Sequence, residues 1–480
     1  MSEDLSMYPP GVRHYVERGE RIMAQRQSLL QEAKRLKFDT IAVHGLYSMQ
    51  ESLENNQGAI IEPIYLSSSQ AYKDSDELEA ALAYLIPTWC YTRIANPTTY
   101  YLEWTLALLE AYGCGVEASC VCTASGMSAI MSAVDPFLIK QKKERDEKIN
   151  FVSTCQLYGG TFQQFQIRKM EERGIEVRWV TQPHELEDWA TKIDGDTRLL
   201  YGELPSNPGQ AFFDIEKVAD LAHSHGIPLI CDATVATPAL MRPLAHGADI
   251  VVHSATKSLT SSGFGVSGAM ISRRNITTKV QNDNPLFKDD FASYVKFLPY
   301  RDNGPALAPM NAMFTLGEIK TLSTKMDLFS RNTMAVARFL EKHPHVEKVE
   351  YLGLESHPLH ELASRYMHLV DSDDGTGREV NRYGHLMSFH VKGSAKDTRD
   401  VFDQFKRIWR ATDLGRIKSV ATIPAISTHQ QQGEEARQMA GIPPQLIRLC
   451  VGGEHPDDVI ADLDQALNIL STRSVHSVAR

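Results

Sequence analysis

Residues Asp249-Ile-Val-Val-His-Ser-Ala-Thr-Lys-Ser258 decide how this chain folds. Three consecutive β-branched apolar residues, Ile250, Val251 and Val252, predict a buried strand. That strand delivers Lys257 directly behind two hydroxyl residues, Ser254 and Thr256. A lysine amine can form a Schiff base with an aldehyde cofactor. The hydroxyls one and three residues before it can hold a phosphate. Upstream, Leu229-Ile-Cys-Asp-Ala-Thr-Val235 predicts a second apolar strand that ends on the carboxylate of Asp232. An amine, a phosphate cradle and an acid against a ring nitrogen are the groups that pyridoxal phosphate requires. Taken alone, the Ser-x-Thr-Lys run also fits an ordinary loop with a solvated lysine, so its surroundings decide.

Three further stretches occur in the order such a site needs. In Thr123-Ala-Ser-Gly-Met-Ser-Ala-Ile130, small residues precede a helical pattern. The N–H groups of Gly126 and Met127 would then lie at a helix N-terminus, a ready phosphate site, although many helices simply start this way. Leu157-Tyr-Gly-Gly-Thr-Phe162 puts Tyr158 on a flexible turn where its ring could stack on a flat cofactor. A core tyrosine is the alternative. Glu203-Leu-Pro-Ser-Asn-Pro-Gly209 follows the strand candidate Arg198-Leu-Leu-Tyr-Gly202. Its Asn207 amide could bond the cofactor's ring oxygen, while Ser-Asn-Pro-Gly is also a turn by composition.

From about Ile64 to Leu298, apolar strands alternate with helical stretches, the pattern of an α/β fold with a mainly parallel sheet. Strand candidates include Arg178–Val180, Leu199–Tyr201, Leu229–Cys231 and Ile250–Val252. One long helix is predicted over Asn311–Phe339, leading to a smaller α/β C-terminal domain with strands at Glu347–Tyr351 and His385–Val391. Asp371-Ser-Asp-Asp-Gly-Thr-Gly377 between them predicts a mobile loop. Val12–Lys37 predicts a charged amphipathic helix. The expected division is an N-terminal arm over 1–63, a cofactor-binding domain over 64–300 and a small domain over 301–480. Gly263-Phe-Gly-Val-Ser-Gly268 fits a dinucleotide-binding pattern, but that pattern needs a strand before it and a helix after it. Here Ala269-Met-Ile-Ser272 reads as a strand. His223-Ser-His225 reads as helix surface rather than a metal pair, and no metal site is expected.

The 480 residues, 42% hydrophobic and 23% charged, allow a large core and more than one domain. A net charge of −10 argues against non-specific nucleic-acid or anionic-membrane binding. No long uncharged apolar stretch predicts a membrane-spanning helix, and the first ten residues lack a basic lead and an apolar core. The seven cysteines are scattered and form no C-x-x-C pair. Reduced thiols in a cytoplasmic protein are expected.

The ordered set resembles the PLP-dependent Cys/Met metabolism enzymes, which include cystathionine synthases and lyases, methionine gamma-lyase and O-acetylhomoserine sulfhydrylase. The resemblance rests on Tyr91-Thr-Arg-Ile-Ala-Asn-Pro-Thr98, Ser125-Gly-Met127, Tyr158-Gly-Gly160, Pro205-Ser-Asn-Pro208, Asp232-Ala-Thr234, Ser254-Ala-Thr-Lys257 and Arg448-Leu-Cys-Val-Gly452. It implies the aspartate-aminotransferase-like fold (fold type I) and pyridoxal 5'-phosphate as cofactor. Lys257 would carry the cofactor and, once released, remove the Cα proton. Asp232 would keep the pyridine nitrogen protonated. Gly126, Met127, Ser254 and Thr256 would hold the phosphate, with Asn207 and Thr234 also on the cofactor. Tyr91 and Arg93 would reach the phosphate of a neighbouring subunit, making the protein a homo-oligomer, dimer or tetramer, with shared sites. Arg448 would clamp the carboxylate of a small amino-acid substrate, with Ser419 beside it. Tyr158 would stack on the ring and pass a proton to the γ leaving group.

Within the family, Leu414–Val420 and Pro424–Gln431 most resemble O-acetylhomoserine sulfhydrylase. Cystathionine-processing members usually carry a glutamate where Lys418 stands, and methionine gamma-lyases a cysteine where Gly160 stands. The implied reaction is γ-replacement: sulfide or another nucleophile displaces the acyl group of an O-acylhomoserine. The alternatives are γ-elimination and replacement by a non-sulfur nucleophile. A non-catalytic cofactor-binding protein is disfavoured, because it has no use for a carboxylate clamp. The rim departs from the family at Ser258, Ser262, Asp413 and Ile423; a serine is common where Asp413 stands, and a histidine where Ile423 stands.

Overall fold

The computed structural model describes residues 5–87, 89–139 and 148–471. Its strands are β1 Ala118–Thr123, β2 Asn150–Thr154, β3 Glu176–Val180, β4 Thr197–Glu203, β5 Leu229–Asp232, β6 Ile250–His253, β7 Gly268–Arg273, β8 Val346–Glu350, β9 Leu386–Val391, β10 Trp409–Arg410, β11 Val420–Thr422 and β12 Leu446–Cys450. The first seven form one sheet in the order β1-β7-β6-β5-β4-β2-β3. Neighbours from β6 through β3 run parallel, while β7 is antiparallel to both β6 and β1. Every residue of β2, β5 and β6 is buried. A parallel sheet covered on both faces needs such unbroken apolar runs, which is why these strands are readable in the sequence. The carboxyl ends of β4, β5 and β6 share one edge and carry Glu203, Asp232 and the Lys257 loop. In open α/β sheets, ligands bind outside that edge.

Asp249, at the start of β6, ties two segments to the sheet. Its carboxylate accepts the N–H of Leu229 at 3.0 Å and of Thr277 at 2.8 Å, and meets His223 at 2.8 Å. His223, on the helix Ile215–Ser224, is therefore a structural partner of a buried carboxylate. No group of three or more His, Cys, Asp or Glu among the described residues could hold a metal ion. The Gly263–Gly268 run leads into β7, not a helix, so it lacks the context of a dinucleotide site. All seven cysteines are free, and Cys120 and Cys122 lie on one face of β1 with their sulfurs 4.0 Å apart. No helix among the described residues is long and apolar enough to cross a membrane.

The second sheet has the order β10-β11-β12-β9-β8 and is antiparallel except for β10–β11. The helix expected over Asn311–Phe339 is two helices, Pro309–Ile319 and Leu322–Glu341. They part where β-branched Thr321 adopts φ −122° and ψ 24° and the Lys320 ammonium turns to Glu62 at 2.9 Å. Leu322, Met326, Phe329, Thr333, Val336 and Leu340 recur at helical spacing and bury the second helix's inner face. The N-terminal helix runs Pro10–Ala33, shorter than expected. Its Val12 and Tyr15 pack with Ala80 of the same chain, and the Tyr15 hydroxyl donates to Asp74 at 2.6 Å. The loop from Asp371 is fastened at its start, where the Asp371 carboxylate accepts the Phe38 N–H at 3.1 Å and the Tyr112 hydroxyl at 2.7 Å.

Candidate active site

A cavity of about 660 Å³ opens at the carboxyl ends of β4, β5 and β6. The packing brings Gly126, Met127, Tyr158, Asn207, Asp232, Thr234, Ser254, Thr256 and Lys257 to its wall, all of them expected there. The altered rim residue Asp413 lines it as well, and so does Glu203, which the sequence marks only as the start of a turn.

One corner joins a helix N-terminus to the end of β6. The helix Gly126–Val134 starts under an N-cap from Ser125, whose side chain accepts the Ser128 N–H at 3.2 Å. The N–H groups of Gly126 and Met127 have no acceptor within the helix, as at any helix start. A side chain at 126 could not fit, because its Cβ would lie 2.6 Å from the Ser254 Cβ. Glycine thus lets the helix end approach the Ser254 hydroxyl and concentrate donors in that corner. Thr234 sets the loop, its hydroxyl accepting the Ser254 N–H at 2.7 Å. Thr256 differs from expectation. Its hydroxyl donates to the Ser267 carbonyl and accepts the Ser267 N–H, both at 3.0 Å, so its proton is already committed.

Asp232 is buried at the end of β5. Its Oδ1 accepts the Thr234 N–H at 3.0 Å, and the Tyr201 hydroxyl lies 3.4 Å from its Oδ2. Burial pushes its carboxyl above the usual carboxylate range. Glu203, beside it on β4, is pushed well up by burial first and by the Asp232 charge second. Glu203 also organises the wall, accepting the N–H of Tyr158 and of Asn207 at 2.7 Å each. The sequence showed Glu203 only as the start of a turn. The Leu204–Pro205 and Asn207–Pro208 bonds of that turn are both cis.

Arg448 lies on β12, wholly buried one layer behind the wall. Its Nη1 donates to Asn207 Oδ1 at 3.2 Å, and its Nη2 to the carbonyls of Thr412 at 3.1 Å and Asp413 at 2.7 Å. Its Nε is buried without a partner. Asn207 therefore spends its amide oxygen on the arginine. Lys257 Nζ donates to Asp413 Oδ1 at 2.7 Å. Burial pushes the Asp413 carboxyl up, but the Lys257 and Arg416 charges outweigh it and hold it below the usual range. Ser258 turns inward, its hydroxyl 3.2 Å from His385 Nδ1. Burial, followed by the Arg448 and Lys257 charges, drives His385 down to about 3.

Three expected site residues lie elsewhere. Ser419 does not line the cavity: its hydroxyl donates to Glu454 Oε2 at 2.9 Å and accepts the Gly452 N–H at 3.0 Å, bracing the second sheet. Tyr91 and Arg93 stand outside the cavity of their own chain. Arg93 stacks on the Tyr91 ring at 5.4 Å and donates to the Arg301 carbonyl, and Tyr91 is 44% exposed. Lys418 lies over Trp409 at 4.7 Å. Of the four altered rim positions, only Asp413 reaches the cavity.

Residues 39–468 match the family described as Cys/Met metabolism PLP-dependent enzyme. The chain belongs to that family. It is a pyridoxal-phosphate-dependent enzyme of Cys/Met metabolism, with the fold of that group. It is 33% identical over 453 residues to homocysteine synthase of Schizosaccharomyces pombe, covering 90% of this chain and 98% of that one. It is 32% identical over 438 residues to L-methionine gamma-lyase of Fusobacterium nucleatum subsp. polymorphum, covering 91% and 99%. A crystal structure of a protein assigned as O-acetylhomoserine (thiol)-lyase from Campylobacter jejuni superposes with a TM-score of 0.79 at 32% identity, over 90% of this chain and all of that one. In that structure a lysine is present as N'-pyridoxyl-lysine-5'-monophosphate. These relatives include both replacement and elimination enzymes.

Proposed function

We propose that Lys257 carries pyridoxal phosphate in this cavity and that the enzyme performs γ-replacement on an O-acylhomoserine, with sulfide or another nucleophile displacing the acyl group. The observation that carries this reading is the convergence of Lys257, buried Asp232 and the Gly126–Ser254 corner in one cavity, with the partnerless Nε of Arg448 behind it. The residues fit the cofactor. The corner offers N–H and hydroxyl donors to a phosphate, Asp232 offers a carboxylate to a ring N–H, and Lys257 is an amine within the same wall. Once bound, pyridoxal phosphate supplies an electron sink for negative charge at Cα.

The chain's own groups then divide the work. Arg448 receives the substrate carboxylate on its partnerless Nε, with Nη1 held by Asn207 and Nη2 fixed by the Thr412 and Asp413 carbonyls. Lys257 Nζ takes the Cα proton. Asp232, next to a ring cation, becomes a stabilised carboxylate despite its burial. Tyr158, 39% exposed and anchored by its own N–H on Glu203, hands a proton to the leaving oxygen. Gly160, standing where methionine gamma-lyases usually carry a cysteine, supports replacement over elimination. A Cβ there would lie 2.5 Å from the Tyr158 ring, so the glycine lets that ring lie across the turn.

Exposed Ile60, Leu66 and Tyr91 support a shared site built from two copies, in which Tyr91 and Arg93 complete the phosphate corner of a neighbour. Ile60 and Ile61 are adjacent and 94% and 65% exposed, an apolar pair suited to burial between subunits.

The test is a product assay on the holoenzyme with O-acetylhomoserine, with and without sulfide. Homocysteine formed only with sulfide supports replacement. 2-Oxobutyrate formed regardless of sulfide makes the enzyme a γ-lyase. Neither product moves the search to other γ-substituted amino acids and nucleophiles.

A further inference from the structure

The side chains of Asp413 and Arg416 form a unit around Lys257 that the reaction outlined above does not use. Asp413 Oδ1 accepts from Lys257 Nζ at 2.7 Å, while Oδ2 takes the Arg416 Nε. Arg416 Nη1 donates to the Thr256 carbonyl at 2.8 Å and the Thr260 carbonyl at 2.9 Å, on either side of Lys257. Gly415 presses this turn onto the lysine loop: its φ is +70°, and a Cβ there would stand 2.7 Å from the Ser258 nitrogen. One carboxylate oxygen is thus locked to an arginine that grips the lysine's own loop. The other is aimed at the lysine amine. A serine, common in the family at this position, could offer the amine no charge.

We propose that Asp413 is a positioning residue for Lys257. Its carboxylate, fixed by Arg416, holds the lysine amine inside the cavity whenever that amine is not covalently engaged. The inference rests on the assignment of Lys257 as the cofactor lysine. Once released, the amine must stay within reach of Cα to take its proton, and the Asp413 contact keeps it there.

The other groups facing Lys257 do not duplicate it. Arg416 and Arg448 carry positive charge and oppose an ammonium. His385 is neutral, being driven down to about 3 by burial, and burial likewise pushes the Cys450 thiol up. Asp232 and Glu203 lie on the wall with their carboxyls pushed up by burial. Asp413 is the carboxylate in direct contact with the amine among the described residues.

The experiment follows exchange of the Cα proton of L-norleucine, which has no γ leaving group, with deuterated water in the holoenzyme, and traps the resting enzyme with borohydride to read the mass of the Lys257 peptide. In Asp413→Asn and Asp413→Ser the exchange rate at saturating norleucine should fall at least about tenfold, the cost of a misplaced base, while the KM and the mass trapped on Lys257 stay at the parent values. Asp413→Glu should recover part of the rate. If a folded Asn or Ser variant exchanges like the parent, the inference is wrong. Trapping on a lysine other than Lys257 would overturn both this inference and the site assignment. Exchange needs no γ substituent, so failure of the product assay alone would leave it untouched and the two failures separate.

Discussion

Glu203 and Asp232 stand opposite one another in the register of β4 and β5, so two buried carboxyl groups share one end of the cavity. Their partners divide their tasks. Asp232 keeps one oxygen, Oδ2, for a weak 3.4 Å contact with Tyr201, whereas both oxygens of Glu203 are spent on backbone N–H groups. Asp232 is thus the acid available to a ligand, and Glu203 is the brace of the wall.

Glu203→Gln should therefore weaken the fold and the site together. A glutamine can accept from only one of Tyr158 and Asn207, and turns its NH2 toward the other donor. The expected loss is about 1–3 kcal/mol for a buried donor left without a partner. Urea unfolding measures it, and turnover should fall in parallel because Tyr158 loses its anchor. Unchanged stability would mean the wall does not depend on Glu203.

Ser419→Ala separates support from substrate contact. Loss of its bonds to Glu454 and Gly452 should cost about 1–2 kcal/mol. The KM for the amino-acid substrate should stay at the parent value. A KM raised tenfold with intact stability would return Ser419 to the substrate site.

Acidification should expose the cost of burying His385. Its folded pKa is depressed to about 3 from an ordinary 6.5, so the unfolded chain takes up the proton first as pH falls. Stability from the neutral histidine is complete above 6.5 and declines below it, by about 1.4 kcal/mol per pH unit. Glu203 and Asp232, pushed the other way, partly mask this in the parent protein. The clean measurement is a difference. His385→Asn should lose about 1.4 kcal/mol less than the parent between about pH 7.5 and 5.5. Equal losses would show that His385 titrates normally.

A shared site predicts complementation. Tyr91→Ala and Lys257→Ala should each be inactive as pure proteins. Mixed and reassembled, they should regain about a quarter of the parent activity, the share of sites in a randomly paired dimer that receive both intact residues. No recovery in confirmed mixed oligomers would place Tyr91 outside the neighbour's site.

Much of the site was legible because chemistry sits at the ends of strands that the sequence announces. β5 and β6 are buried on both faces, so their apolar runs end abruptly on Asp232 and on the Lys257 loop. Local signals failed where a contact depends on packing between distant segments. Asp413 meets Lys257 only because the second sheet closes over the first, and the one available hint was its departure from the family's serine. Glu203 looked like the opening of a proline turn, since nothing local shows that its side chain folds back onto Tyr158. The direction of Ser419 was not legible, because neighbouring residues at the edge of β11 face opposite ways, and its side chain turns to Glu454. The break at Thr321 was hidden because the apolar period carries on across it.

The Gly126–Ser254 contact has one more consequence. Those two residues are far apart along the chain and touch only after the sheet between them has assembled. A ligand held there binds the finished fold and has no counterpart site on the unfolded chain. Free cofactor at a hundred times its dissociation constant then adds about 2.7 kcal/mol to stability. A larger supply of cofactor would thereby lower the share of copies that are unfolded and open to proteolysis.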